Sequence, residues 1–160
     1  MAVRGTTKFK SNKQEQRVAK ELGGKTVIAS GSLWNCKGDV RHDQFLVECK
    51  TTEKSFYALT YEVWKKIQTE ALRDGLRLPV MCIDLEDGKH KLAVFDFALM
   101  YDHMDFFDQE IKTITVDKKS FRVTPVSALL EVKWEYQRPV RLVITDWDTF
   151  LEVVSQKEEE

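Results

Sequence analysis

The sequence predicts an α/β fold in which a mixed central sheet is flanked by helices. Residues 13–22 carry apolar side chains at the spacing of an amphipathic helix. Residues 45–50 and 79–85 are short apolar runs typical of buried strands. Residues 60–74, between them, show a second helical apolar stripe. This alternation of helices and strands indicates a sheet covered by helices.

The first helix is predicted over residues 13–22, where Val18 and Leu22 lie four positions apart on one face. Two short polar residues before it, Ser11 and Asn12, are candidates for the N-cap because their side-chain oxygens can accept hydrogen bonds from unpaired amides. A pair of glycines ends the helix.

Short strands are expected next. Residues 25–29 are rich in β-branched side chains and end at a Ser-Gly-Ser turn. Residues 39–41 are predicted to pair as a hairpin with the strand at 45–50. Side chains alternate across a strand. That alternation gives one face to Phe45, Val47 and Cys49 and the other to Leu46, Glu48 and Lys50.

The predicted core continues with the helix at 60–74, which a glycine ends. The strand at 79–85 is almost continuously apolar, so we expect both of its faces to be buried. A Glu-Asp-Gly turn then leads into a returning strand at 91–97.

The remaining residues give weaker patterns. We expect a short helix over 97–108, a hairpin of strands 112–116 and 120–123, a strand at 141–144 and a helix over 148–154. There is no internal repeat and no linker rich in Pro or Ser. The prediction is therefore a single domain over 1–160, made of a basic flexible arm (1–12), a core (13–97), a C-terminal extension of the sheet and helices (98–154) and an acidic tail (155–160).

Composition excludes several classes of protein. With 42% hydrophobic and 32% charged residues, the chain of 160 residues can form a packed core. It has no apolar run of the roughly 18 residues that a membrane span needs, and its N-terminus lacks an apolar signal segment. Three cysteines without a C-x-x-C pair indicate a reducing, cytoplasmic location. The absence of glycine-rich phosphate loops argues against a nucleotide cofactor.

Charge is distributed unevenly along the chain. Residues 1–54 carry 11 Lys and Arg against 6 Asp and Glu, whereas residues 55–160 carry 14 against 20. A basic front on an acidic body can hold a polyanion at one face. The alternative is an ordinary variation of exposed charge along a chain.

The side chains that point to chemistry are Glu15, Asp39, Glu48 and Lys50. Glu48 and Lys50 lie two apart in an apolar strand and so share a face. Carboxylates brought together repel one another unless a cation neutralises them, and Mg²⁺ prefers one or two carboxylates, water and phosphate oxygens. The pattern predicts a magnesium site suited to phosphodiester hydrolysis, since a bound metal activates water and withdraws phosphoryl charge.

Two further roles belong to this strand. Lys50 is expected to stabilise developing negative charge, because an ammonium with a pKa of about 10.4 is a poor base. The backbone carbonyl of Cys49, between the two charged side chains, is a candidate further metal ligand. The alternative interpretation is a plain ion pair between Glu48 and Lys50 on a half-exposed strand.

Ordered motifs along the first 97 residues resemble the archaeal-type Holliday junction resolvases and their bacteriophage relatives, in the PD-(D/E)xK nuclease superfamily. They are K-Q-E-Q-R-V-A-K-E-L-G-G at 13–24, A-S-G-S at 29–32, K-G-D-V at 37–40, F-L-V-E-C-K at 45–50 and T-x-x-S-F at 52–56. The resemblance implies a restriction-endonuclease-like sheet. One departure is Gly38, which stands where the family has a proline before its aspartate.

The resemblance also implies roles for individual residues. Glu15 corresponds to a helix glutamate near the metal, while Asp39 and the pair Glu48 and Lys50 correspond to the catalytic set. Ser30 and Ser32 correspond to a serine-bearing turn that contacts the scissile phosphate or the DNA backbone, so Ser32 is a candidate catalytic residue and both are candidate DNA contacts.

The family's properties give the function that the resemblance implies. It is a homodimeric endodeoxyribonuclease that uses Mg²⁺, or Mn²⁺ as a substitute, and nicks two strands of a four-way junction of double-stranded DNA. A two-fold dimer suits a two-fold junction because the same surface is presented twice. A phage-encoded chain would act in the cytoplasm of its host cell. The alternatives are a related endonuclease acting on flaps or linear duplex, and a catalytically silent DNA-binding module.

Other charged residues complete the candidates. Glu21 competes with Glu15 for the helix role, but it points away from that face and is better explained as solvated. Basic residues near the N-terminus are candidate phosphate contacts, namely Arg4, Lys8, Lys10, Lys13 and Arg17. An acid-rich cluster around Met104 is more typical of a helix surface than of a metal site.

Overall fold

The computed structural model describes residues 7–27, 39–99, 111–116 and 119–159. Its helices are α1 (Thr7–Leu22), α2 (Tyr61–Arg73) and α3 (Trp147–Glu159). Its strands are β1 (Lys25–Thr26), β2 (Val40–Arg41), β3 (Phe45–Thr51), β4 (Tyr57–Thr60), β5 (Leu78–Leu85), β6 (His90–Asp96), β7 (Ile111–Val116), β8 (Ser120–Val123), β9 (Ala128–Trp134) and β10 (Val140–Asp146).

Eight of the described strands form one mixed sheet in the order β1, β2, β3, β5, β6, β10, β9, β7. The β3–β5 and β7–β9 pairs are parallel, and the other pairs are antiparallel. Strands β4 and β8 form a separate antiparallel ribbon. The predicted α/β class, with a large mixed sheet flanked by helices, is confirmed.

The sheet has a hydrophobic layer on each face. On one face, Val18 of α1 and Phe150 of α3 pack against Val47, Cys49 and their neighbours. On the other face, α2 and the β4–β8 ribbon cover the sheet, with Trp64 and Phe121 among the contacts. Alternation along the strands sends apolar side chains into both layers. The sheet is therefore buried between two apolar layers.

Local sequence explains where α2 begins and which face it buries. The Thr60 hydroxyl accepts a hydrogen bond from the Val63 amide at 3.2 Å, which caps the first turn. Trp64, Ile67 and Ala71 are buried at helical spacing. The predicted helix over 60–74 is thus confirmed, with Thr60 as its cap.

The strands predicted at 39–41, 45–50, 79–85 and 91–97 are confirmed with small shifts at their ends. Of the strand expected at 25–29, the structure has Lys25–Thr26 as β1, and residues 28–29 lie outside the described residues. Strand β2 pairs with β3 as the predicted hairpin, with Val40 opposite Val47. Strands β5 and β6 are antiparallel neighbours, with Val80 opposite Phe95. The C-terminal strand β10 pairs with β6, so it continues the same sheet.

Helix α1 begins six residues earlier than the predicted helix over 13–22. It begins at Thr7, so residues 7–12 are helical instead of part of an arm, and Ser11 and Asn12 lie inside the helix and do not cap it. Polar residues are tolerated there because a surface helix needs only one apolar face. At the other end, α3 continues to Glu159, through most of the segment expected to be a tail.

The predicted hairpin of residues 112–116 and 120–123 is wrong. Strand β7 pairs in parallel with β9, and β8 pairs with β4 in the ribbon. Phe121 and Val123 pack with the α2 layer, so burial draws β8 away from β7. Strands β4 and β9 were not predicted. Most of the helix expected at 97–108 lies outside the described residues.

Within the described residues, no helix is both long and apolar enough to cross a membrane.

Candidate active site

Asp39 is held against β3 by two backbone hydrogen bonds. Its own amide donates to the carbonyl of Val47 at 3.0 Å, which continues the β2–β3 pairing by one residue. Its Oδ2 accepts from the backbone amide of Cys49 at 2.8 Å. The carboxylate is thereby placed beside the part of β3 that carries Glu48 and Lys50.

Glu48 and Lys50 project from the face of β3 opposite to Cys49, as alternation predicts. Cys49 packs in the layer under α1. The Nζ of Lys50 lies 3.4 Å from Oε1 of Glu48, whose side chain is 13% exposed. The ion pair of the alternative interpretation is therefore present. It accounts for two of the site's charges, and the carboxylates of Asp39 and Glu15 are not part of it.

Glu15 reaches Asp39 from α1 and forms a side-chain hydrogen bond with it. The preceding residue, Gln14, fixes the helix at this point. Its Nε2 donates to the backbone carbonyl of Lys50 at 2.8 Å and to that of Cys82 at 3.2 Å. Because Gln14 is almost completely buried, its amide ties α1 to β3 and β5, and Glu15 is positioned as a consequence.

The three carboxyl groups influence one another. Burial, which is the largest cause, and the neighbouring charges of Asp39 and Glu48 together raise the pKa of Glu15 to about 7. Burial also raises the pKa of Glu48, with a contribution from Asp39, while Lys50 and Lys66 oppose the increase. Mutual repulsion of this kind is the condition that a bound cation or a shared proton relieves.

Lys50 remains an ammonium in this setting. Burial lowers its pKa, but the negative charges of Glu48 and Asp39, the hydrogen bond to Glu48 and the neighbouring Tyr57 hydroxyl raise it overall. A protonated Lys50 supports electrostatic stabilisation and argues against the role of a general base.

The surroundings include groups that the sequence did not single out. Burial raises the pKa of the Tyr57 hydroxyl, and Lys50 opposes that increase, so the tyrosine at the start of β4 belongs to the same electrostatic environment. Gln14 was also missed. The only available signal was its position beside Glu15, because the burial of a polar side chain on a helix cannot be read from helical spacing.

The donor set suits a hard divalent cation that binds few protein ligands. Within the described ranges, no group of three or more His, Cys, Asp and Glu side chains is placed so that it could hold a metal ion by itself. Carboxylate oxygens are nevertheless the ligands Mg²⁺ prefers, and it commonly binds through one or two of them with water and substrate phosphate completing its shell. The Cys49 carbonyl stays a prediction as a ligand.

Two of the predicted DNA contacts are engaged within the protein. Arg17 forms a bidentate ion pair with Asp84, with nitrogen–oxygen distances of 2.8 and 2.9 Å, and its Nε lies 3.0 Å from Glu21. Lys10 contacts Asp87 at 2.8 Å and Glu53 at 3.3 Å. These placements argue against phosphate contacts for both residues, because their charges already have carboxylate partners.

Of the other residues predicted to contact DNA, the structure describes the side chain of Lys13 only. Lys13 is exposed on α1. Ser30 and Ser32 lie outside the described residues, as do Arg4, the side chain of Lys8 and the acid-rich segment around Met104. The phosphate-contacting turn therefore stays a prediction.

Comparisons with protein-family models, with curated proteins and with solved structures find no match to this chain. The chemistry of the candidate site rests on its own geometry.

Proposed function

We propose that this chain is a Mg²⁺-dependent endodeoxyribonuclease, built on a restriction-endonuclease-like sheet, that resolves four-way DNA junctions as a homodimer. The observation that supports it best is the placement of Asp39, whose Oδ2 accepts from the Cys49 amide at 2.8 Å, beside the pair of Glu48 and Lys50 on β3. Glu15 on α1 lies near enough for the charges of both carboxylates to raise its pKa. Structural ion pairs need no such gathering of like charges, which costs free energy unless it serves a site.

Each residue has a definite task in this reaction. Asp39 and Glu48 would hold the metal, with Glu15 supporting them. When bound, Mg²⁺ supplies charge neutralisation and an activated water. Water adds to phosphorus as one phosphodiester P–O bond breaks, and the ammonium of Lys50 stabilises the negative charge that develops on the phosphoryl oxygens.

A groove lined by residues of α2 and β5 supports the homodimer. Leu72, Leu76 and Leu78 are exposed leucines that line this groove of about 570 Å³. Exposed apolar groups that cluster in this way are typical of protein–protein contacts. Two copies joined here would present two active sites to one junction.

The decisive experiment compares Asp39→Asn and Glu48→Gln with the wild type on a synthetic four-way junction in Mg²⁺. We expect each variant to cut at least about 100-fold more slowly, because removing a ligand weakens metal binding and its chemistry. Glu152→Gln, an exposed carboxylate on α3, is the matched control and should cut normally.

A comparison of three DNA substrates tests whether four-way junctions are the preferred substrate. The wild type should cut the junction in preference to a flap and a linear duplex of the same sequence. Equal cleavage of the duplex would favour another endonuclease of the superfamily. No cleavage of any of the three in Mg²⁺ or Mn²⁺ would overturn the enzymatic proposal and favour a silent DNA-binding module.

A further inference from the structure

Two cations approach one aromatic ring on the outer face of the β4–β8 ribbon. The guanidinium carbon of Arg122 lies 4.3 Å from the centroid of the Phe56 ring. The Nζ of Lys54 lies 5.7 Å from the same centroid. Both distances are within the range of cation–π attraction. Residues Lys54, Phe56 and Arg122 are named here the ribbon patch.

Strand register explains why residues so far apart in the sequence meet. Ala58 of β4 lies opposite Arg122 of β8 in the antiparallel ribbon. Their neighbours Leu59 and Phe121 are buried against the sheet, so alternation turns Ala58 and Arg122 to the outer face. The ring of Phe56, two residues before Ala58, reaches the Arg122 guanidinium on that face.

The ribbon patch lies next to the candidate active site. Only residues 52–56 separate β3, which carries Glu48 and Lys50, from β4. Tyr57, the residue after Phe56, shares the electrostatic environment of Lys50. A DNA strand whose phosphate sits at Lys50 would therefore pass close to the ribbon.

The positive charge of the patch is available to a ligand. Lys54 and Arg122 are exposed, and within the residues that the structure describes neither forms an ion pair with a carboxylate. The nearest acidic residue in sequence, Glu53, is paired with Lys10 at 3.3 Å. Lys10 thus partly offsets the charge of Glu53, and it shares its own charge with Asp87 at 2.8 Å.

We propose that the ribbon patch binds the phosphate backbone of a DNA arm beside the scissile phosphate. This inference rests on the proposed function and assigns a role to β8, in the segment after residue 97. Stacking on Phe56 holds the Arg122 guanidinium in one plane, so less rotamer freedom is lost when it donates two hydrogen bonds to a phosphate. Lys54 adds a second charge that contacts the backbone without reading sequence.

The test measures DNA binding apart from cleavage. Fluorescence anisotropy with a labelled four-way junction, in EDTA and at several NaCl concentrations, is compared for the wild type, Arg122→Gln, Lys54→Gln and the double variant. Each lost phosphate contact should reduce the slope of log Kd against log salt by about 0.9. In the double variant the two reductions of the slope should add, and its binding at low salt should be several-fold weaker than that of the wild type.

The matched control is Arg138→Gln, which removes an exposed arginine from the β9–β10 connection. Its salt slope should equal that of the wild type. Urea unfolding of every variant separates a folding defect from a binding defect, because a purely structural cation–π contact changes stability and leaves the slope unchanged. Arg122→Lys retains the charge and should restore part of the slope.

The outcomes distinguish this inference from the proposed function. Slopes for Arg122→Gln and Lys54→Gln equal to that of Arg138→Gln would overturn the patch, even if the wild type cuts junctions in Mg²⁺. If the wild type cuts no DNA but the Arg122→Gln and Lys54→Gln variants still show reduced salt slopes, the ribbon patch is supported and the proposed nuclease activity is overturned.

Discussion

At the scale of single residues, the site depends on groups that are costly to place together. Glu15 and Asp39 share a hydrogen bond although both are acids, and the pKa of Glu15 rises to about 7. Near pH 7 the Glu15 carboxyl therefore still holds its proton in part of the molecules. Gln14 enforces this contact, because its amide bonds the backbone of β3 and β5 and leaves α1 little freedom to withdraw.

The first prediction concerns the pH dependence of stability without metal. The ordinary pKa of Glu15 is 4.5 and its folded value is about 7, so between these pH values the folded protein holds a proton that the unfolded chain has released. The free energy of unfolding should then fall as the pH rises through this window. Glu15→Gln should reduce the fall and be more stable than the wild type above pH 7.

Urea unfolding at pH 4.5, 6 and 8 in EDTA provides the measurement. Glu152→Gln on α3 is the control and should track the wild type at every pH. Added Mg²⁺ should raise wild-type stability at pH 8, since a bound cation takes the place of the Glu15 proton. A wild-type and a Glu15→Gln profile that run parallel would refute this account of the repulsion.

At the scale of elements, α1 is attached to the sheet by more than its apolar face. Arg17 crosses to β5 and forms a bidentate pair with Asp84, whose side chain is 7% exposed. The sequence suggested a phosphate contact for Arg17, because a basic residue near other basic residues resembles a nucleic-acid site. Spacing along a helix cannot reveal a buried carboxylate on a strand about 67 residues away.

The second prediction follows from that pair. Arg17→Met should lower the free energy of unfolding by about 2–3 kcal/mol at neutral pH, because it leaves the buried carboxylate of Asp84 without its partner. Chemical denaturation measures the loss. Lys13→Gln, on the exposed face of the same helix, should change stability by less than about 0.5 kcal/mol.

A second substitution, at Asp84, completes a double-mutant cycle for this ion pair. Arg17→Met combined with Asp84→Leu should recover much of the lost stability, since neither charge is then buried alone. If Arg17→Met unfolds at the wild-type denaturant concentration, the ion pair is not what attaches α1 to β5.

Elements within the core were predictable because their patterns are local. The alternation of Phe45–Lys50 gave the correct faces of β3, and it put Glu48 and Lys50 on one side. The pairing of β7 and β8 was not predictable, because hairpin logic joins neighbours in sequence. Burial of Phe121 against the α2 layer instead takes β8 to β4.

At the scale of the whole molecule, the exposed leucines around the α2 groove mark where the proposed dimer would form. Leu72 is 62% exposed and borders this groove. A third prediction is that Leu72→Glu converts a dimer into a monomer, because a buried unpaired carboxylate would be required at the contact. Light scattering should show the mass fall from twice 18.7 kDa to 18.7 kDa.

Val126→Glu is the matched control for that variant. Val126 is 61% exposed and precedes β9, away from the α2 groove, so its change should leave the mass unaltered. A monomeric wild type, or a Leu72→Glu variant that stays dimeric, would show that this groove does not join two copies.

The composition of the site was more predictable than its surroundings. Glu48 and Lys50 share a strand face by alternation, and the ordered motifs of the resemblance added Asp39 to them. Tyr57 and the ribbon patch depend on the pairing of β4 with β8, across more than 60 residues, and only the tertiary structure shows it. The expected turn with Ser30 and Ser32 stays a prediction.

The position of β10 has a consequence for how the chain is made. This strand is the last in sequence, yet it lies between β6 and β9 in the interior of the sheet. While the chain emerges from the ribosome, β6 keeps an open edge of unpaired amides and carbonyls until Val140–Asp146 appears. A chain that has not yet added β10 therefore exposes an unpaired strand edge that can aggregate, and the sheet closes only once Val140–Asp146 is available to pair.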